Sequence, residues 1–296
     1  MRPIGLIANP ASGKDVRRLV ARASVFDNQE KQAIVRRLLI GALAAGATEF
    51  RYLNDQHGIL RGALDELRRK LNAKPVDATA TGTALDTISA ARALEDADCG
   101  VVITLGGDGT NRAVTFGWPQ VPLIPISTGT NNVFPVLTEA TVAGTAAGLL
   151  ATEQLSTRRV FTASKLIELE IEDERPDLAL IDAVLSAEQF VGARALLEPK
   201  ALREILLTRA DPAAVGMTSI GGLLRPVSVA DDHGLRLKLN QSDAPSHIIH
   251  APIAPGLFHD VQVDQLRRQP LEQWLSWRGP GVLAFDGERE RLLGDG

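Results

Sequence analysis

The chain has 296 residues, 45% of them hydrophobic, with 26 Gly, 16 Pro and one Cys, which supports about two domains with real cores and excludes a disordered chain. Its 32 Lys and Arg against 36 Asp and Glu leave a net charge of −4, and only 4% of residues are aromatic, so it lacks both the basic field and the stacking surface of a nucleic-acid binder. Cys99 has no disulfide partner, no apolar stretch reaches the roughly 18 residues of a membrane span, and the run Ile4 to Ala8 is too short for a signal peptide; together these predict a soluble, cytoplasmic protein.

Ile4 to Ala8 reads as a strand covered on both faces, and it stops at Asn9-Pro10-Ala11-Ser12-Gly13. Val16, Leu19 and Val20 predict a helix from Asp15 to about Ala23. Ile34, Leu38, Ala42 and Ala45 predict another from Gln29 to Ala45, closed by Gly46. A strand is expected at Thr48 to Leu53, a helix at Leu60 to Leu71, a strand at Pro75 to Thr79 and a helix at Ala84 to Ala93. Gly100 to Leu105 repeats the opening pattern and runs into Gly106-Gly107-Asp108-Gly109-Thr110. Pro122 to Ile126 does so again and ends in Ser127-Thr128-Gly129-Thr130-Asn131-Asn132. This alternation predicts an α/β fold with a Rossmann-like parallel sheet and helices on both faces.

After a helix at Thr141 to Thr152 the texture changes. Ser164 to Glu172 and Leu235 to Leu239 alternate, Leu178 to Leu185 is apolar, and Gly221-Gly222, Asp232-His233-Gly234 and Pro255-Gly256 read as turns. The second half is therefore expected to be β-rich. The boundary is expected near Leu155 to Arg159, giving a phosphate-binding domain over residues 1–155 and a β-rich domain over 156–296, with a return of the last segment to the first domain left open. Trp274 and Trp277, three apart, suggest an amphipathic helix with core or interface anchors. His247 and His250 on a strand face opposite sides and do not share a metal.

In open α/β sheets ligands collect beyond the carboxyl ends of strands, and here loops rich in Gly, Ser, Thr and Asn follow such strands. Glycines let backbone amides approach an anion closely, so phosphate is the natural ligand. None of these loops is a P-loop or a dinucleotide fingerprint, and Ser127 and Ser219 lack the setting of a nucleophile elbow. Asp108, between glycines, gains nothing from packing and must be solvated, hydrogen-bonded or metal-linked. Asn131 and Asn132 suit either turns with positive φ or contacts to a ribose or adenine.

GGDGT at Gly106 to Thr110, with the Asn9 to Gly13 loop and the Thr128 to Asn132 loop, resembles the signature of the NAD kinase and diacylglycerol kinase superfamily. The combination of IANPASGKD, GGDGTNR, PISTGTNNVFP and FDGERE looks most like the ATP-NAD kinase-like acetoin catabolism protein X family. The resemblance implies a kinase that uses ATP and Mg²⁺, with NAD or a related small molecule as acceptor in a crevice between the domains. It also implies a homo-oligomer, with small-molecule and nucleotide partners.

Carried over by position, Asp108 matches the aspartate proposed to activate the acceptor or engage metal, and Gly106, Gly107, Gly109 and Thr110 match the phosphate loop. Glu288, in a DGE sequence similar to that of lipid kinases, is a second candidate base. Asn9, Ser12, Gly13, Thr128, Gly129, Thr130, Asn131 and Asn132 complete the expected nucleotide-binding set, with Lys14 and Arg112 as cations beside the phosphates. Asp182 fits the acidic position of the NAD kinase nucleotide segment, whereas Ile181 replaces its amide and 216–222 echoes the TPTGSTAY-like stretch poorly. The metal ligands are left unassigned. A lipid acceptor is disfavoured because no cationic amphipathic helix suits a membrane surface. A noncatalytic nucleotide sensor is the alternative.

Overall fold

The computed structural model describes residues 1–13, 27–129, 132–172, 174–188 and 198–294, with the backbone alone for 288–290. The helix expected from Asp15 to Ala23, the candidate residues Lys14, Thr130 and Asn131, and the side chain of Glu288 lie outside the described residues. Two compact units divide between Phe161 and Thr162.

The first unit contains β1 (Ile4–Ala8), α1 (Asn28–Ala44), β2 (Glu49–Tyr52), α2 (Ile59–Leu67), β3 (Asn72–Pro75), α3 (Ala84–Asp96), β4 (Val101–Gly106), α4 (Asp108–Gly117), β5 (Leu123–Ser127), α5 (Ala140–Ala151) and a short α6 (Thr157–Val160). The strands form one parallel sheet in the order β3-β2-β1-β4-β5. Ile4, Leu6 and Ala8 of β1 pack with Val35 and Leu38 of α1, Leu60 of α2 and Ala147 of α5. On the opposite face Ile7 and Val102 meet Ala90 and Leu94 of α3 and Val114 of α4. Burial on both faces is why β1 and β4 read as unbroken apolar runs.

The expected strand at Pro75 to Thr79 is instead β3, at Asn72–Pro75, and the preceding helix stops at Leu67 rather than Leu71. β3 is a mostly exposed edge strand without apolar alternation, and Pro75 is tolerated there because an edge does not need every N–H. α4 has no counterpart among the expected elements. Its Gly109 and Gly117 are poor helix formers, but burial of Ala113 and Val114 stabilises it.

The second unit contains β6 (Ile167–Leu169), β7 (Asp177–Ala179), β8 (Asp182–Ser186), β9 (Leu202–Leu207), α7 (Met217–Leu224), β10 (His233–Leu239), β11 (His247–Ala254), β12 (Leu257–Pro270), β13 (Gly281–Phe285) and β14 (Glu288–Leu293). Its seven-stranded sheet runs β11-β12-β10-β9-β8-β13-β14, every pair antiparallel. Ile205, Leu207, Leu235 and Leu237 pack on Met217 and Ile220 of α7. On the other face Leu185, Leu283 and Phe285 meet Ile167 and Leu169 of β6. The last segment, β13 and β14, belongs to this sheet.

Three expectations are corrected here. The apolar run Leu178 to Leu185 is two strands, broken at Leu180 and Ile181, where backbone amides turn to Asp286. Gly221 and Gly222 are not a turn: they lie in α7, where an added Cβ at either would collide with Leu207 or with the Asp211–Pro212 backbone, so their role is close packing. Residues 271–280 form no helix. Trp274 is 64% exposed, and Trp277 is half-buried with its indole N–H on Glu204 at 2.8 Å.

Candidate functional site

The strand order reverses between β1 and β4, and that reversal sets the loops Asn9–Gly13 and Gly106–Thr110 side by side, with the loop after β5 next in line. Asn9 Nδ2 donates to Thr110 Oγ1 at 2.9 Å, and the Ser12 and Thr128 hydroxyls lie 2.8 Å apart. Asn132 Nδ2 donates to Ser127 Oγ at 2.8 Å. The three loops are thus tied into one polar rim by side chains that sequence spacing had only suggested. The glycines divide by role. A Cβ at Gly106 would lie 2.5 Å from Thr110 Cβ and one at Gly107 would lie 2.7 Å from Asn132 Oδ1, whereas Gly109 is exposed and has nothing within 4 Å. Gly109 is therefore where backbone stays open to a close-approaching group. Gly13, at φ +74°, takes a left-handed turn that disfavours a side chain.

Asp108 opens α4, and its carboxylate is hydrogen-bonded. Oδ1 accepts from the amides of Val133 at 3.1 Å and Phe134 at 2.7 Å, and Oδ2 also accepts from Val133 at 3.1 Å. Two other acids near the carboxyl ends of the strands are used similarly. Asp55 accepts from the amides of His57, Ile59 and Leu60, closing the turn into α2. Asp86 receives the amides of Thr81 and Gly82 and the hydroxyls of Thr79 and Thr81. Its burial alone would raise the carboxyl pKa, but these hydrogen bonds outweigh it and hold the pKa below the ordinary value.

Two residues that sequence reading passed over organise the rim from beneath. Asn111, fully buried, accepts from Thr104 Oγ1 at 2.6 Å and donates to the Gly107 carbonyl at 2.8 Å. Lys31 of α1 is also fully buried, and its ammonium donates to the carbonyls of Asn9, Pro10 and Ser12 at 2.9, 3.1 and 2.7 Å. Asn111 stands within GGDGTNR but was given no role there, and for Lys31 the only signal was a lysine on the otherwise apolar face of α1. Arg112 is half-buried on α4, and Gly129 accepts from the Ser127 hydroxyl through its carbonyl at 2.7 Å.

In the second unit Asp182 and Asp286 clasp the start of β8 to the β13–β14 turn. Asp286 Oδ1 accepts from Leu180 and Ile181 at 3.0 and 2.7 Å, and Asp182 Oδ1 accepts from the amide of Gly287 at 3.1 Å. Both are buried. Asp286 and Gly287 take positive φ of 50° and 78°, the pattern of a two-residue hairpin turn, so the DG of FDGE is accounted for by the hairpin.

Residues 4–154 match the family model of the ATP-NAD kinase N-terminal domain, and residues 165–296 match that of the acetoin catabolism protein X C-terminal domain. Over 98% of its length the chain is 37% identical to acetoin catabolism protein X of Cupriavidus necator, covering 84% of that protein. The chain belongs to the acetoin catabolism protein X family. A shorter similarity, 40% identity over 67 residues and 22% of the relative, links it to an uncharacterised protein of Archaeoglobus fulgidus.

Membership of a family with an ATP-NAD kinase domain raises the question of a resident divalent metal. The donor set of the described residues does not fit one. Among the described residues no group of three His, Cys, Asp or Glu is placed to hold an ion, and Asp55, Asp86 and Asp108 all accept from backbone amides. The rim instead offers hydroxyls, amides and carboxamides, which suit anionic oxygen. Among the described residues no helix is long and apolar enough to cross a membrane.

Proposed function

We propose that this chain is a cytoplasmic small-molecule kinase that transfers a phosphoryl group from ATP to an acceptor hydroxyl of NAD or a related small molecule. The observation that carries the reading is the hydrogen-bonded rim of Asn9, Ser12, Thr110 and Thr128 at the ends of adjacent parallel strands. Phosphoryl transfer has a loose transition state, so catalysis is mainly positioning and charge neutralisation, which fixed N–H and O–H donors can supply without reorganising. Mg²⁺ enters as part of the MgATP substrate, held by its phosphates. Arg112 and Lys14 are proposed as cationic partners, Gly109 as the point of close phosphate approach, Asp182 as a nucleotide contact, and Asp108 and Glu288 as the carboxylates competing for proton transfer. The relative's name directs the acceptor panel toward hydroxyketones related to acetoin as well as NAD.

One observation favours a second reading, a nucleotide sensor without turnover: the Asp108 carboxylate is engaged by two backbone amides rather than presented to an acceptor. A coupled assay of ADP release decides between them, run with MgATP and NAD, nucleosides, acetoin-type hydroxyketones or diacylglycerol. Acceptor-dependent ADP supports the kinase. Saturable ATP binding with no ADP from any acceptor supports the sensor, and absence of both rejects the nucleotide reading altogether.

A further inference from the structure

We infer that Lys31 is a positioning residue that fixes the polarity of the Asn9–Gly13 loop, so that this part of the rim selects phosphoryl oxygen. The inference rests on the rim being a phosphate site. A buried ammonium is costly unless its donors are used. Lys31 donates to three carbonyls of a single loop, those of Asn9, Pro10 and Ser12, and makes a longer contact of 3.4 Å with Asn28 Oδ1. Its location adds a further cost, because it lies in the first turn of α1, where the helix dipole disfavours a cation. Local helix preference therefore does not explain a lysine there, whereas capture of the loop carbonyls does.

The consequence follows from peptide geometry. Within a trans peptide unit the carbonyl and the next residue's N–H point in opposite directions. Gathering the Pro10 and Ser12 carbonyls on Lys31 therefore turns the N–H groups of Ala11 and Gly13 away from it. The Ala11 amide is taken by Asn9 Oδ1 at 2.8 Å, which leaves the Asn9 carboxamide nitrogen to reach Thr110. The Ser12 hydroxyl donates to the Asn9 carbonyl at 2.8 Å, which brings its oxygen against the Thr128 hydroxyl. The carbonyl ends of the loop dipoles are thus drawn to one side and neutralised by a positive charge, while the Gly13 N–H is turned to the other. Without that charge the carbonyls would be free to turn outward, and the loop would lose its preference for anions.

The test uses inorganic pyrophosphate as probe, with calorimetric titration and unfolding curves measured on the full chain. Lys31→Gln keeps hydrogen-bond donors but removes the charge; it is expected to weaken pyrophosphate binding by about tenfold or more, and to raise the KM for ATP more than it lowers kcat. Lys31→Arg, which retains the charge, is expected to recover part of the affinity. A merely structural lysine would lower the unfolding midpoint and leave affinity unchanged in the folded variant, which would overturn the inference while leaving the kinase reading intact. Wild-type binding without turnover, together with weakened Lys31→Gln binding, would reject the kinase reading and keep the role of Lys31. Failure of the wild type to bind pyrophosphate would overturn both. Should Lys31→Gln not fold, the wild type still decides: pyrophosphate must shift the amide resonance of Gly13, and an unmoved resonance overturns the inference.

Discussion

Asp108 sits where packing cannot reward a carboxylate, and the amides of Val133 and Phe134 take up both its oxygens. An Asn there presents one acceptor oxygen and turns an NH₂ toward an amide donor. Asp108→Asn is therefore expected to lower stability by about 2 kcal/mol, since hydrogen bonds to charged groups are the stronger ones; urea unfolding monitored by circular dichroism checks this. A stability loss within 0.5 kcal/mol, as for ordinary surface positions by order of magnitude, would remove the clamp role. Asp86 makes a pH-dependent counterpart. Its folded pKa lies below the ordinary carboxyl value because the Thr81, Gly82 and Thr79 donors outweigh burial, so its contribution is present above the unfolded pKa and is lost as pH falls through the folded one. A ¹³C titration of the Asp86 carboxyl should have its midpoint below that of an ordinary aspartate. Cys99 is the reverse: burial pushes its thiol up to about 12, and Ellman's reagent at pH 8 should label it only after denaturation.

Helices α1 and α5 touch through glycines rather than through interlocked large side chains. An added Cβ at Gly41 would strike the Thr141 carbonyl, and one at Gly144 the Leu38 carbonyl. Backbone does not give way as a flexible side chain does, so Gly144→Ala is expected to cost about 1–3 kcal/mol, read from the shift in urea midpoint; a neutral result would show that the two helices can separate at little cost. Legibility at this level depended on what each element packs against. β1 and β4 were evident because burial on both faces leaves a continuous apolar run. β3 was misplaced because an exposed edge needs no such run, and α7 was read as a turn because glycines that allow close packing look, in one dimension, like glycines that allow bends. The Trp274–Trp277 spacing was equally compatible with the extended segment that sends Trp277 to Glu204.

Across the molecule, a formal charge of −4 with no excess of cations argues against a nucleic-acid partner. Fluorescence anisotropy with a labelled random duplex at physiological salt should show no binding below about 100 µM; saturable binding in the micromolar range would contradict that expectation. The sequence by itself determined the alternation of buried strands with helices, the change to a β-rich second half and the polar loops at strand ends, because burial and turn chemistry leave marks in local residue order. Only tertiary structure decided which loops meet, that the Asp108 carboxylate closes on amides 25 and 26 residues further on, and that Lys31 gathers carbonyls from 19 to 22 residues before it. Such partners are chosen by strand order and by the need to satisfy every buried polar group, and neither constraint is written in the spacing of neighbouring residues.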